Sequence, residues 1–134
     1  MDHPQLIEEA LTARAMAYAP YSRFQVGAAV LCDDGRVFHG CNVENASYGL
    51  CNCAERTALF SAIAAGYRPG AFRALAVVGP TEGPISPCGA CRQVMLELGG
   101  AQMTVVCANL SGKVRTSTVG DLLPGAFDGA CLAD

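Results

Sequence analysis

The sequence predicts an α/β fold: a mixed sheet of about five strands covered by helices, built as a single domain over residues 1–134. Three observations predict it. Stretches with helical spacing alternate with short apolar runs, the pattern of strand–helix–strand crossovers. Two of those runs flank an Asp-Gly turn signal. And 134 residues that are 51% hydrophobic, without repeat, low-complexity segment or linker, suffice for one sizeable core.

Leu6, Ile7, Ala10, Leu11, Ala13 and Met16 recur at helical spacing, which predicts an amphipathic helix from residue 4 to about 18. Asp2 or His3 caps it, Pro4 sits in the first turn, where its missing N–H costs little, and Pro20 ends it. FQVGAAVLC (24–32) and RVFHGC (36–41) form a hairpin about Asp33-Asp34-Gly35. AERTALFSAIAAG (54–66) reads as a buried helix stopped by Gly66. RALAVVG (73–79) is a strand, and CGACRQVMLELGG (88–100) a third helix. MTVVCAN (103–109) and the more exposed KVRTSTV (113–119) complete the strands, and Pro124-Gly125 breaks the chain before a short tail. Crossovers through the second and third helices predict parallel neighbours on that side of the sheet.

Composition narrows the function. Net charge is −3 and no basic run is present, which disfavours polynucleotide binding but not a single nucleoside or nucleotide. No apolar run approaches the length of a membrane span. Glu8 and Glu9 stand where a signal peptide needs an apolar stretch, so a cytoplasmic protein is expected. The apolar content points towards an oligomer. His3 and His39 belong to no catalytic pattern, and Tyr18 and Tyr21 read as residues that position the first loop.

Eight cysteines are present. Without a secretory signal, the pairs CNC (51–53) and CGAC (88–91) read as metal-binding rather than disulfide-forming. Cys32, Cys41 and Cys107 read as plain buried residues. Cys88 and Cys91, three apart at a helix start, share a face, and a helix N-terminus favours thiolates. Cys53 stands just before the other helix. Two sites are possible. Four cysteines, Cys51 included, would make a closed structural zinc knot. Three would leave one coordination position open, with Glu55 beside it. Against the knot stand the placement of both pairs at buried helix starts, the large core that has little need of a metal staple, and the chemical use Glu55 has beside an open position.

Cys53-Ala54-Glu55 followed by Pro87-Cys88-Gly89-Ala90-Cys91 matches the zinc deaminase signature in its three-cysteine variant. The chain resembles the small, all-cysteine cytidine deaminases. AYAPYSRFQVGAA (17–29), GCNVENASYGLCNCAERTAL (40–59), SPCGACRQV (86–94) and LLPGAF (122–127) carry the resemblance over nearly the whole chain. It implies a three-layer α/β/α sandwich and hydrolytic deamination of cytidine and deoxycytidine to uridine and deoxyuridine in pyrimidine salvage. It implies one zinc ion per subunit on Cys53, Cys88 and Cys91, with Glu55 as proton shuttle. Zinc with three thiolates has a formal charge of −1, which makes its water harder to deprotonate. Two helix N-termini offset part of that charge. Arg56 is expected to offset the rest by donating to thiolate sulfur, with Arg92 a second candidate.

The resemblance further implies that Asn42 and Glu44 bind ribose, that Phe24 packs on the pyrimidine ring, and that Ala54 and Ser86 read the base edge through their backbones. It implies a homotetramer in which Ala46, Tyr48 and Phe127 enter a neighbouring subunit's pocket. The rival readings are a deaminase of another aminopyrimidine nucleoside, of the blasticidin type, and the non-enzymatic four-cysteine zinc protein.

Overall fold

Asp2 starts the first helix, α1 (His3–Arg14), through a capping box: its carboxylate accepts from the Gln5 N–H at 2.8 Å, and its own N–H donates to Gln5 Oε1 at 2.9 Å. The structure is a computed structural model and describes residues 1–132. α1 stops at Arg14, about one turn before the expected end, and Met16 is solvent-exposed. Tertiary pairing overrides the helical spacing there. The Tyr18 N–H donates to the Asn42 carbonyl at 3.0 Å and the Glu44 N–H to the Tyr18 carbonyl at 2.8 Å, so this stretch runs beside Val43 instead of coiling.

The expected hairpin forms from β1 (Gly27–Cys32) and β2 (Val37–Cys41) about the Asp33-Asp34-Gly35 turn. There follow α2 (Ala54–Ala64), β3 (Phe72–Gly79), α3 (Gly89–Gly99), β4 (Thr104–Asn109), β5 (Val114–Thr118) and a short α4 (Val119–Leu122). The strands make one five-stranded sheet in the order β2-β1-β3-β4-β5. Among the described residues only β3 and β4 are parallel neighbours in it; the other pairs are antiparallel. The expectation of parallel neighbours at both crossovers is therefore half right. β2 and β3 point the same way, each being antiparallel to β1, but β1 lies between them. The reason is burial. Every residue of β1 is buried, as a central strand requires, whereas β2 carries the partly exposed His39 and takes the edge. His39 lies 2.7 Å from Glu9, a link between α1 and β2.

Alternation along the strands builds three layers, as the resemblance implied. Ala29, Leu31, Ala76, Val78 and Val106 face α1, where Leu6 and Ala10 cover them. Ala28, Val30, Leu75, Val77 and Val105 face α2 and α3, with Ala58, Leu59 and Met95 filling that side. Two glycines let the helices lie close. A Cβ on Gly27 would stand 2.0 Å from the Ala10 carbonyl of α1, and one on Gly40 would stand 2.3 Å from both the Ala54 carbonyl and the Ala58 nitrogen of α2. Neither backbone can yield cheaply, so Gly40 sets how deeply the start of α2 sits on β2.

Gly40→Ala is expected to destabilise the protein by about 1–3 kcal/mol in urea denaturation, the range for overpacking. Gly49→Ala is the control, because a Cβ there meets nothing within 4 Å. Equal stability of the two variants would contradict this packing.

Candidate metal centre and pocket

β2 and β3 point the same way, so α2 and α3, which follow them, begin at the same end of the sheet. Cys53 is the N-cap of α2 and Cys88 the N-cap of α3, both in extended backbone and neither engaged in a side-chain cap bond. Cys91 lies one turn into α3 and is fully buried. The sulfurs of Cys53, Cys88 and Cys91 all lie within 4.8 Å of one another, and Cys53 and Cys88 are 3.9 Å apart. Tetrahedral zinc with Zn–S bonds of about 2.3 Å needs sulfurs about 3.8 Å apart, so the donor set fits that ion.

Cys51 stays outside the trio. It closes the turn after Tyr48–Leu50, and its sulfur accepts from the Asn45 N–H at 3.3 Å. Cys32 and Cys107 are buried in the core, as expected, and burial raises both thiols. Cys41 is half-buried and its thiol too is raised by burial.

Arg56 Nη2 donates to Cys53 Sγ at 3.3 Å, the contact expected from the charge argument. Hydrogen bonding to Cys91 and then to Arg56 draws the Cys53 thiol down, against the effect of burial. Cys91 is correspondingly held up by its hydrogen bond to Cys53 and by burial. Arg56 Nε is buried with no hydrogen-bond partner. Arg92 makes no such contact: its three guanidinium nitrogens donate to the Pro87 and Leu122 carbonyls and to Ser86 Oγ. Glu55, in the first turn of α2, is 4% exposed, and burial pushes its carboxyl up to about 7.

A pocket of about 200 Å³ opens over this group, lined by Phe24, Val26, Asn42, Cys53, Ala54, Glu55, Ile85, Ser86 and Cys88. That is smaller than the roughly 300–1,000 Å³ of drug-sized sites and suits one small ring. Phe24, Val26 and Ile85 are apolar walls, and Asn42, Glu55 and Ser86 are the polar groups. The Asn42 amide also fastens one wall, since Oδ1 accepts from the Val26 N–H at 2.8 Å and Nδ2 donates to the Phe24 carbonyl at 2.7 Å. Val26 and Ile85 were not singled out in the sequence. Val26 lies inside the expected strand 24–32 and Ile85 between Pro84 and Pro87, and no local signal separates a pocket wall from core.

Other sequence candidates lie apart in the single chain. Glu44 lines an adjacent hollow with Tyr21, Ser22, Tyr48 and Cys51. Its carboxylate accepts from the Tyr21 and Ser22 N–H groups at 3.0 and 3.1 Å and from the Ser22 hydroxyl, which holds it below the usual carboxylate range. Ala46, Tyr48 and Phe127 are exposed on the surface and do not line the pocket of Glu55.

The family model for the cytidine and deoxycytidylate deaminase zinc-binding region matches residues 1–108. The cytidine deaminase of Halalkalibacterium halodurans is 57% identical over 134 residues, covering 100% of both chains. That of Sporosarcina psychrophila is 56% identical over 127 residues, covering 95% of this chain and 92% of its own. The crystal structure of cytidine deaminase from Burkholderia pseudomallei superposes with a TM-score of 0.94 at 70% identity, covering 95% of this chain and 100% of that one. The chain belongs to the cytidine and deoxycytidylate deaminase zinc-binding family.

The trio predicts a clear split among cysteine variants. Cys51→Ser should retain the zinc content of the wild type, whereas Cys88→Ser, which removes an exposed donor without opening the core, should lose most of it. Elemental analysis of the purified proteins checks this, and zinc loss from Cys51→Ser would restore the four-cysteine knot.

Proposed function

We propose that this chain deaminates cytidine and deoxycytidine hydrolytically, with zinc as cofactor, releasing uridine or deoxyuridine and ammonia. One observation carries the reading: a buried carboxyl, Glu55, lines the same small pocket as two of three convergent cysteines. Family membership and the cytidine deaminase relatives support the substrate. A closed structural metal site would need neither a pocket nor a carboxyl within it.

Cys53, Cys88 and Cys91 would hold the zinc, which when bound supplies a Lewis acid able to bring the pKa of water towards about 7. Glu55 accepts the proton of the attacking water and delivers it to the pyrimidine ring nitrogen beside the amine-bearing carbon. It then helps protonate the amine as that leaves. One carboxylate serves as base and acid, for which a pKa raised by burial towards the working pH is suited. Phe24 packs on the ring, and the backbones of Ala54 and Ser86 read the base edge. Asn42 and Glu44 meet the ribose hydroxyls, for which an amide and a carboxylate have the matching donors and acceptors. Arg56 offsets the thiolate charge.

We further infer a cytoplasmic homotetramer acting in pyrimidine salvage, each chain a single domain, with Ala46, Tyr48 and Phe127 completing a neighbour's pocket. Support comes from large apolar side chains left on the surface: Tyr48 is 71% exposed, Leu50 70% and Phe127 59%. No helix of the described residues is long and apolar enough to cross a membrane. The acidic net charge supports a nucleoside rather than a polynucleotide substrate.

Glu55→Gln tests the proton role. It should keep zinc and oligomeric state while turnover of cytidine, followed by absorbance, falls by about 10²–10⁴-fold. Retention of near wild-type turnover would contradict the mechanism.

A further inference from the structure

The connection from β3 to α3 carries two walls of the pocket, Ile85 and Ser86, and the cysteine Cys88. Asn109 Nδ2 tethers its first half through the Thr81 and Glu82 carbonyls, and the Ile85 N–H reaches the Ala108 carbonyl at 3.5 Å, but these bonds stop short of Ser86 and Pro87, whose position bears directly on whatever the pocket binds. Arg92 reaches back to it from α3. Nε donates to the Pro87 carbonyl at 2.8 Å and Nη2 to Ser86 Oγ at 2.7 Å. Nη1 donates to the Leu122 carbonyl, the last residue of α4, at 2.6 Å. One rigid, planar fork thus joins the pocket wall to α4.

Those contacts also settle the polarity of Ser86. Arginine has donors and no acceptor. In its bond with Arg92, Ser86 Oγ is therefore the acceptor, and its own O–H remains to donate elsewhere. Ser86 lines the pocket. We infer that Arg92 is a positioning residue: it holds the Ser86–Pro87 turn against α4 and, by filling one acceptor position of Ser86 Oγ, leaves the hydroxyl's O–H to donate to an acceptor on the bound ligand. A pyrimidine ring carbonyl is such an acceptor. This inference rests on the deaminase reading and adds to it a specificity contact that runs through a side chain outside the pocket.

The test is a double-mutant cycle on the holoenzyme with cytidine, zinc content being measured on every variant. Arg92→Gln should raise KM by up to about tenfold, the upper scale for losing one neutral hydrogen bond to the ligand, with kcat changed less than about threefold. Ser86→Ala should raise KM as well, yet add less than about twofold when combined with Arg92→Gln, because one residue acts through the other. Zinc should stay at wild-type content throughout, which a role in offsetting thiolate charge would not allow. Arg92→Lys, which keeps the charge but not the fork, should fall between wild type and Arg92→Gln, and it replaces Arg92→Gln in the cycle if that variant does not fold. An unchanged KM, independent effects of the two positions, or loss of zinc would each overturn the inference while leaving the deaminase reading intact. A wild-type chain that does not turn over cytidine would overturn both.

Discussion

The meeting of two helix N-termini at one end of the sheet is the constraint on which the rest depends. It follows from topology. β1 takes the centre of the hairpin side, so β2 and β3 run in the same direction and the helices after them start together. Each start brings unpaired N–H groups and the positive end of a helix dipole. Cysteines at those starts are in the setting that best tolerates a thiolate. Gly40 then fixes the depth of α2 by allowing its backbone to touch β2. Had β2 and β3 opposed one another, Cys53 and Cys88 would sit at opposite ends of the sheet.

Charge is the second constraint. Three thiolates on a divalent ion leave an excess negative charge, and the Glu55 carboxylate next to them would add to it. Burial answers part of this by favouring the neutral carboxyl. Arg56 answers another part by donating to Cys53 from the turn that also carries Glu55. The sequence CAER thereby holds one cysteine of the trio, a buried carboxyl and an arginine that donates to that cysteine within four residues at the start of one helix. Arg92 has the same charge and similar proximity in sequence to the second pair, yet each of its three nitrogens donates to an oxygen and none to a sulfur. Similar placement in a motif does not make two arginines equivalent.

Much of this was legible in the sequence. The strands and helices lie within about three residues of their expected positions, because apolar periodicity and Gly or Pro punctuation mark them locally. The end of α1 was not legible, since pairing of Tyr18 with the Asn42–Glu44 stretch is non-local. Nor was the insertion of β1 between β2 and β3, which depends on which hairpin strand is buried on both edges. At the site, Cys53, Cys88, Cys91 and Glu55 were legible because the chemistry demands those residue types at those spacings. Val26 and Ile85 were not, because a pocket wall and a core residue have the same composition. The separation of Glu44 from the pocket of Asn42 is likewise invisible in NVEN, where the two stand two residues apart.

The central claim is that three cysteines make an open site while Cys51 stands aside. X-ray absorption at the zinc edge of the purified wild-type protein tests it most directly. The account predicts three sulfur neighbours at about 2.3 Å and one lighter atom, oxygen or nitrogen, nearer the metal. Four sulfur neighbours would contradict it.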